Sequence, residues 1–259
     1  MHATVAVGGI STIRRSRAEL AQMMVSDHRS RPAVPKLVFS SNGQGLALMR
    51  SDRAFGAIMK EADIVHADGM PIVMASRLTR TPIHERCATT DFFHDAAIEA
   101  AANGLSFFFL GGSEDQNAAA VDRVRHLYPD LIVAGRHHGY FAPSADARIC
   151  DEIVASGCDV LWVGLGKPLQ EQWSVRNRDR LSGVSWVKTC GGLYSFLTGD
   201  QARAPKWMQS LGLEWLFRLM LNPKRLFRRY ATTNVQAIMQ ILARTPWFEI
   251  GTARQVKES

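Results

Sequence analysis

Short, continuous apolar runs alternate with amphipathic stretches along most of this 259-residue chain. The apolar runs are rich in Val, Ile, Leu and Phe, and most of them lead through a turn into a segment with helical periodicity. Continuous apolar strands separated by helices are typical of a parallel sheet that is covered on both faces. The pattern predicts six strands, at residues 36–40, 63–66, 106–110, 131–134, 159–163 and 184–189. The sequence therefore predicts an α/β fold with a Rossmann-like, mostly parallel sheet and helices on both faces.

Helical periodicity fills the segments between these strands and most of the chain after them. Six helices are predicted in the α/β part, at residues 45–61, 70–78, 91–102, 114–127, 144–156 and 169–181. Beyond Gly199 no strand pattern remains, and the helical stretches are broken by prolines. We therefore expect an α/β catalytic domain over residues 1–200, a helical appendage over 201–245 and a flexible tail over 246–259.

The positive charge of the chain is concentrated around the first half of that appendage. Residues 199–230 hold seven Lys and Arg against two acids, so they carry +5 of the formal net charge of +7. Large apolar and aromatic residues lie between these cations, a composition that suits contact with anionic lipid headgroups. No apolar stretch approaches the roughly twenty residues that span a bilayer, and the N-terminus lacks a secretory-signal pattern. We expect a cytoplasmic protein that lies on an anionic membrane surface without crossing it. The net charge also leaves a nucleic-acid-binding protein as an alternative.

Three of the predicted strands end in glycine-containing turns. In open α/β sheets ligands bind beyond the carboxyl ends of the strands, where glycine lets the backbone approach a phosphate group. A glycine at such a position can also serve only the geometry of the turn. Three converging turns predict a site for a ligand of nucleotide size, with the candidate contacts Gly111, Gly112, Gly164, Gly166, Gly191 and Gly192. A nucleotide-dependent oxidoreductase is a second alternative, although the chain lacks the glycine fingerprint of dinucleotide-binding proteins.

Polar residues follow the first two predicted strands. Asp68 follows the second strand and precedes a helix, where it can either cap that helix or act as a general base. Ser40 and Asn42 stand at the end of the first strand, where a hydroxyl and an amide can bind a sugar or a base. An Asn in front of a glycine is also a common turn residue, so Asn42 has a purely structural alternative.

Two further polar residues are candidates for binding a diphosphate or a nucleotide. Arg86 lies in a loop that leads into a helix, and a guanidinium binds phosphate oxygens bidentately. Gln170 lies in the first turn of the helix after a glycine turn, where nothing in the local sequence requires a glutamine. The sequence has no Asp-x-Asp pair and no His or Cys cluster at metal-ligand spacing, so we expect neither a metal ion nor another cofactor. Arginines and helix dipoles are then expected to offset phosphate charge.

Five segments in consistent order resemble the WecG/TagA/CpsF family of glycosyltransferases (glycosyltransferase family 26). They are ADIVHADGMPIVMASRL (62–78), ERCATTDFF (85–93), FFFLGGSEDQNAAAVDRVRHLYPDLIVAGRHHGYF (107–141), GLGKPLQEQW (164–173) and GDQARAPKWMQSLGLEWLFRLMLNPKRLFRRY (199–230). The resemblance covers about residues 36–232, and the last of the five segments is the most specific.

The resemblance implies an inverting, metal-independent transferase in the biosynthesis of a cell-surface polysaccharide, such as an exopolysaccharide, a teichoic acid or an antigen. Such an enzyme moves a sugar from a UDP-sugar to a polyprenyl-diphosphate-linked saccharide on the inner face of the cell membrane, and needs no nucleic acid. The resemblance implies that Asp68 is the general base. It places Asn42, Arg86 and Gln170 at the donor and diphosphate site. It links the basic appendage to membrane docking and to completion of the active site, and the candidate residues there are Arg218, Arg225, Arg228 and the adjacent Arg229.

Two positions depart from the family pattern. Ser40 stands where the family usually has Thr and keeps the hydroxyl group. Ser195 stands where the family usually has an acid that follows the last glycine turn. The loss of that acid leaves the identity of the donor sugar open. The acceptor glycan, the polymer and the oligomeric state are also left open by the sequence.

Overall fold

Six parallel strands form the central sheet of the computed structural model, which describes residues 3–247 apart from the side chain of Arg225. In chain order the strands are β1 (Thr4–Val7), β2 (Ile10–Ile13), β3 (Lys36–Ser41), β4 (Ile64–Ala67), β5 (Ser106–Gly111), β6 (Ile132–His137), β7 (Val160–Gly164) and β8 (Trp186–Thr189). The central sheet has the order β4-β3-β8-β7-β5-β6, and every neighbouring pair in it is parallel. All six carboxyl ends therefore meet at one edge. The predicted α/β fold is confirmed.

Helices cover both faces of this sheet. They are α1 (Arg17–Arg29), α2 (Gly43–Ser51), α3 (Arg53–Lys60), α4 (Met70–Ser76), α5 (Thr89–Asn103), α6 (Glu114–Leu127), α7 (Asp146–Ala155), α8 (Leu169–Asn177), α9 (Leu193–Leu197), α10 (Lys206–Ser210), α11 (Glu214–Leu221) and α12 (Pro223–Arg244). Along β3, Leu37 and Phe39 belong to one apolar core and Val38 belongs to the other, as the two-residue period of a strand requires. Helices α2, α3, α4, α7, α8 and α12 contribute to the first core, and α1, α5, α6 and α9 to the second.

The structure corrects the sequence-based helix at residues 45–61, which is two helices. Asp52 separates α2 from α3, and its side chain accepts hydrogen bonds from the N–H groups of Ala54 and Phe55 at 2.8 and 3.1 Å. An Asp that caps a new helix in this way ends the preceding one. Asp52 therefore redirects the chain where apolar periodicity alone predicts a continuous helix.

The N-terminal hairpin and α1 were not predicted. Strands β1 and β2 pair antiparallel through Gly8 and Gly9, whose φ angles of 63° and 83° suit the two-residue turns of hairpins. Helix α1 begins with a capping box in which Ser16 and Glu19 bond each other's backbone N–H. The glycine pair and the capping box are both visible in the sequence. The strands, however, are only four residues long, so their apolar pattern is too short to predict them.

The C-terminal helical segment contacts the α/β part in two places. Helix α12 packs on α2, burying Ala237 and Ile241. Residues 203–218 contact the loop before α5 and α5 itself, through the ion pairs Arg86–Glu214 and Arg203–Asp91. The C-terminal segment therefore contacts elements that follow the adjacent strands β3 and β4. No helix within the described residues combines the length and apolar character needed to cross a membrane.

Candidate active site

Asp68 lies directly beyond the end of β4, and both oxygens of its carboxylate accept hydrogen bonds. Oδ1 accepts from the N–H of Thr89 at 2.7 Å, and Oδ2 accepts from Nδ2 of Asn42 at 3.1 Å. Helix α4 has Gly69 at its N-cap, so Asp68 does not serve the capping role that its position in the sequence allowed. Asp68 as a whole residue is of intermediate exposure, and its carboxylate is held in one orientation by residues from two other segments.

The pKa of the Asp68 carboxyl is lowered from its ordinary value. Burial alone would raise it, but the charge that His66 carries when its ring is protonated at low pH, the N–H of Thr89 and the amide of Asn42 together outweigh burial. Asp68 is therefore ionised at neutral pH, in the form that accepts a proton. A carboxylate with a lowered pKa is a weak base, so its position beside a reacting hydroxyl has to supply much of its catalytic value.

Asn42 connects β3, α2 and Asp68. Its Oδ1 caps α2 by accepting from the N–H of Gly45 at 3.0 Å, while its Nδ2 donates to Asp68. The helix cap and the orientation of the carboxylate therefore depend on one amide. The geometry gives Asn42 a structural role in the turn and a positioning role toward Asp68, and its contact with a donor sugar stays a prediction. Ser40 is buried one residue before the end of β3.

Arg86 contacts both the Asp68 loop and the C-terminal segment. Its Nε donates to the backbone oxygen of Asp68 at 3.0 Å, and its Nη2 pairs with Oε2 of Glu214 at 2.8 Å. The side chains of Arg86 and Glu214 are each 15% exposed. Arg218 reaches Oε1 of the same glutamate at 2.9 Å, so the arginine predicted to bind a diphosphate and one of the predicted docking arginines meet at one carboxylate.

The six candidate glycines fall into two groups. A Cβ on Gly111 would lie 2.4 Å from the oxygen of Gly164, and one on Gly164 would lie 2.8 Å from the ring of Tyr194. Gly112 is also close to a tyrosine ring and a glutamine. Packing between neighbouring turns therefore requires glycine at these three positions. By contrast, a Cβ would meet nothing within 4 Å in the second group, which consists of Gly166, Gly191 and Gly192. The open space beside this second group is where a ligand can approach the backbone.

Gln170 is buried and bonded within the protein. Its Oε1 accepts from the N–H of Gly191 at 2.9 Å, and its Nε2 donates to Oε1 of Glu171 at 2.9 Å. The glutamine therefore fixes the glycine turn that follows β8. The structure gives Gln170 a positioning role, and direct contact with a ligand stays a prediction.

Lys167 and Glu171 form a buried ion pair that sequence reasoning did not find. Nζ of Lys167 lies 2.6 Å from Oε1 of Glu171, with the two side chains 6% and 0% exposed. Nζ also donates to the backbone oxygen of Ser40 at 3.0 Å, which ties the turn after β7 to the end of β3. Glu171 in a first helical turn is explained by the helix dipole alone, so nothing in the local sequence indicated a cationic partner.

A second buried layer lies below Asp68. His66 is fully buried, its Nδ1 lies 2.7 Å from the backbone oxygen of Cys87, and its Nε2 has no hydrogen-bond partner among the described residues. Lys188 on β8 is also fully buried. Burial and the charge of Lys188 lower the pKa of His66 to about 3, and burial lowers the pKa of Lys188 to about 8. His66 is therefore neutral near pH 7, and Lys188 places a positive charge close to the site.

Ser195, at the position where the family resemblance leads one to expect an acid, belongs to a polar network. Its Oγ accepts from Nε2 of Gln116 at 3.0 Å, and the same amide lies 3.4 Å from Oδ2 of Asp200. Asp200 thus supplies a carboxylate near Ser195.

The appendage arginines do not form one group. Arg218 lies beside Glu214, with its guanidinium 5.0 Å from the centre of the Phe196 ring. Arg228 and Arg229 are exposed on α12, and the side chain of Arg225 lies outside the described residues. Of the predicted tail 246–259, residues 248–259 also lie outside them. Nowhere in residues 3–247 do three His, Cys, Asp or Glu side chains come close enough to hold a metal ion.

The chain is similar to known proteins over most of its length. The model of the family described as "Glycosyl transferase WecG/TagA/CpsF family" matches residues 5–249. A protein of Bacillus spizizenii strain W23 is 31% identical over 181 residues, which are 70% of this chain and 69% of the relative. A protein of Bacillus subtilis strain 168 is 30% identical over 174 residues, which are 67% of each chain. Both relatives are named N-acetylglucosaminyldiphosphoundecaprenol N-acetyl-beta-D-mannosaminyltransferase.

Proposed function

The chain belongs to the WecG/TagA/CpsF family of glycosyltransferases, and we propose that it transfers a sugar from a UDP-sugar to a saccharide carried on a polyprenyl diphosphate. The observation that carries this proposal is the Asp68 carboxylate, fixed by Asn42 and Thr89 next to Arg86 at the ends of the strands. The names of the two Bacillus relatives support a lipid-linked diphosphate acceptor in cell-surface polymer biosynthesis and make UDP-N-acetylmannosamine the first donor to test. The comparisons support neither the nucleic-acid-binding nor the oxidoreductase alternative.

The donor is proposed to lie across the carboxyl ends of β3, β8 and β7. The open backbone at Gly166, Gly191 and Gly192 leaves room for the nucleotide and its phosphates. Gln170 holds the Gly191 turn in place from below. Arg86 and Arg218 supply positive charge for a diphosphate, where guanidinium groups form strong, directional hydrogen bonds with phosphate oxygens.

Asp68 is proposed to take the proton of the acceptor hydroxyl as its oxygen bonds to the anomeric carbon of the donor. The bond from that carbon to the diphosphate oxygen breaks, and UDP leaves with the bonding electrons. In-line attack opposite the leaving group inverts the anomeric centre. The arginines stabilise the negative charge that develops on the diphosphate, and the proton on Asp68 is then lost to water. No step requires a metal ion.

The membrane location rests on the outer face of the appendage. Trp207, Met220 and Phe227 are large apolar side chains that are more than half exposed, and Arg228 and Arg229 are exposed beside them. Apolar side chains among cations suit the headgroup region of an anionic leaflet. We propose that this surface places the site at the strand ends close to the inner face of the cell membrane, where a lipid-linked acceptor is held.

A transfer assay tests the proposed chemistry. Radiolabelled UDP-sugars are incubated with a synthetic lipid-diphosphate-linked N-acetylglucosamine acceptor, and the labelled lipid product is measured. Loss of a general base typically lowers the rate ~10²–10⁴-fold, so Asp68→Asn should fall into that range. The control Asp122→Asn removes an exposed acid from α6 and should keep wild-type activity. Near-normal turnover by a folded Asp68→Asn variant would overturn the role of Asp68.

Vesicle sedimentation tests the membrane surface separately. Each basic residue near an anionic leaflet contributes about 1 kcal/mol, so Arg228→Glu with Arg229→Glu should weaken binding to phosphatidylglycerol vesicles at least ~30-fold. The matched control Arg123→Glu with Arg125→Glu makes the same charge change on α6, which lies on the other face of the sheet. Equal binding by the two double variants would refute the proposed surface.

A further inference from the structure

Three arginines from three parts of the chain surround one carboxylate beside the loop that carries Asp68. Glu214, the first residue of α11, receives Arg86 on Oε2 at 2.8 Å and Arg218 on Oε1 at 2.9 Å, while Nε of Arg203 lies 3.7 Å from Oε1. Arg203 is also held by Asp91 through two contacts, at 3.0 and 3.1 Å. Two acids thus face three guanidinium groups, and the cluster keeps an excess positive charge.

The position of this cluster links the appendage to the catalytic loop. Arg86 donates to the backbone oxygen of Asp68, so it contacts Glu214 with one end of its guanidinium and the loop with the other. Gly212 lies close to Met70, two residues after Asp68: a Cβ placed on Gly212 would be only 3.3 Å from the Cβ of Met70. The Glu214–Arg86 pair therefore closes the appendage over the loop that carries the proposed base.

A carboxylate in this place has the charge and the oxygen geometry of part of a diphosphate. Both present a pair of anionic oxygens to guanidinium groups, but a diphosphate carries more charge and more acceptor oxygens. Glu214 and a diphosphate cannot both take the same nitrogens of Arg86 and Arg218. Nε of Arg203 is buried and has no hydrogen-bond partner among the residues in the structure, so one donor in the cluster is still unused.

We propose that Glu214 is a latch, whose carboxylate holds Arg86 and Arg218 in the ligand-free protein and is displaced when a substrate diphosphate binds. The proposal rests on the function proposed above, because that function brings a diphosphate to these arginines. The latch keeps Arg86 and Arg218 in place beside the Asp68 loop when no substrate is present. It also makes the position of α11 sensitive to whether a diphosphate is bound.

Calorimetric binding of inorganic pyrophosphate tests the latch without requiring transfer. A partly exposed ion pair changes an equilibrium constant by about fivefold. Because Glu214→Gln removes the competing charge, it should tighten pyrophosphate binding by about that factor. Appendage contacts through α12 on α2 and through Arg203 with Asp91 remain in this variant. The control Glu85→Gln removes the same charge one residue from Arg86, from a carboxylate that pairs with Arg17, and should change binding far less.

A double-mutant cycle separates competition from a general charge effect. If Glu214 competes for Arg86, the gain from Glu214→Gln should largely disappear when Arg86 is already replaced by Gln. UDP and farnesyl diphosphate, used as separate probes, show whether the donor or the lipid diphosphate displaces the latch. Tighter binding of either probe by Glu214→Gln than by the wild type supports the proposal.

Several outcomes would overturn the latch. Unchanged or weaker pyrophosphate binding by a folded Glu214→Gln protein would mean that Glu214 only organises the arginines. A gain of equal size in Glu85→Gln, or one that persists with Arg86→Gln, would mean a general charge effect. If Glu214→Gln does not fold, Glu214→Asp keeps the charge with a shorter reach, and it should also bind pyrophosphate more tightly than the wild type. Failure of the wild type itself to bind UDP or pyrophosphate would instead contradict the proposed function.

Discussion

Lys167→Met is expected to destabilise the protein strongly, because it leaves the carboxylate of Glu171 without its cation. Glu171 is fully buried, and its second oxygen already lacks a hydrogen-bond partner among the described residues. Removal of one member of a buried pair costs about 3–5 kcal/mol, a large share of the roughly 5–15 kcal/mol that stabilises a typical domain. For a chain of this size such a loss lowers the melting temperature by about 6–20 °C. The free energy of unfolding is measured by urea denaturation at pH 7.

Two further measurements separate this effect from simple loss of packing. The double variant Lys167→Met with Glu171→Gln removes the buried charge together with its cation, so it should be more stable than Lys167→Met alone. Arg148→Met, which breaks an exposed pair with Glu152 at 3.6 Å, is the control and should cost no more than about 0.5 kcal/mol. A deficit in Lys167→Met below about 1 kcal/mol, or a double variant that is no more stable than Lys167→Met, would refute the reasoning.

Three other changes give sharp expectations. Thr89→Pro removes the N–H that donates to the Asp68 carboxylate, at the first position of α5, where proline is tolerated. The loss of this hydrogen bond should raise the pKa of Asp68. The acidic limb of the pH profile of kcat/KM should therefore move to higher pH. An unmoved acidic limb would show that this bond does not control the ionisation of Asp68. Gly192→Ala places a methyl group where nothing lies within 4 Å, at an ordinary φ of −85°, so it should leave the melting temperature unchanged. The methyl group should weaken UDP binding in calorimetry. Unchanged UDP binding would mean that the donor does not lie beside this turn. Lys188→Met should raise the free energy of unfolding at pH 7 by about 3 kcal/mol, because burial lowers the pKa of Lys188 to about 8 and so makes its charged form unfavourable in the folded state. As the pH rises from 8 to 10.5, the free energy of unfolding of the wild type should approach that of Lys188→Met, because the unfolded state loses its proton over this range. A difference between the two proteins that stays constant across that range in urea denaturation would contradict the prediction.

The sheet could be predicted because its strands are continuous apolar runs, buried on both faces. Prediction failed where that signal weakens. Strand β6 extends to His137, three residues beyond the predicted end, because its last residues are polar and it lies at the edge of the sheet. The hairpin β1–β2 was missed because four-residue strands give a short pattern, although Gly8 and Gly9 mark its turn.

The candidate site could be predicted in part for a similar reason. Strands that are parallel bring their carboxyl ends together, so Asn42 and Asp68 were expected at one edge, and they are in fact hydrogen-bonded. Which side of α8 Gln170 faces could not be read from one turn of helix, and it points into the protein. The Arg86–Glu214 pair joins residues 128 positions apart, and no local pattern reports such a contact.

A crystal structure of the protein with a bound UDP-sugar is the most direct test of the central claim, that the donor lies over the strand ends with its reacting carbon next to Asp68. The account predicts an Asp68 carboxylate within about 6 Å of the anomeric carbon, leaving room for one acceptor oxygen between them. It also predicts the diphosphate on Arg86 and the nucleotide beside the Gly191–Gly192 turn. A donor bound elsewhere, or an anomeric carbon more than about 10 Å from Asp68, would contradict it.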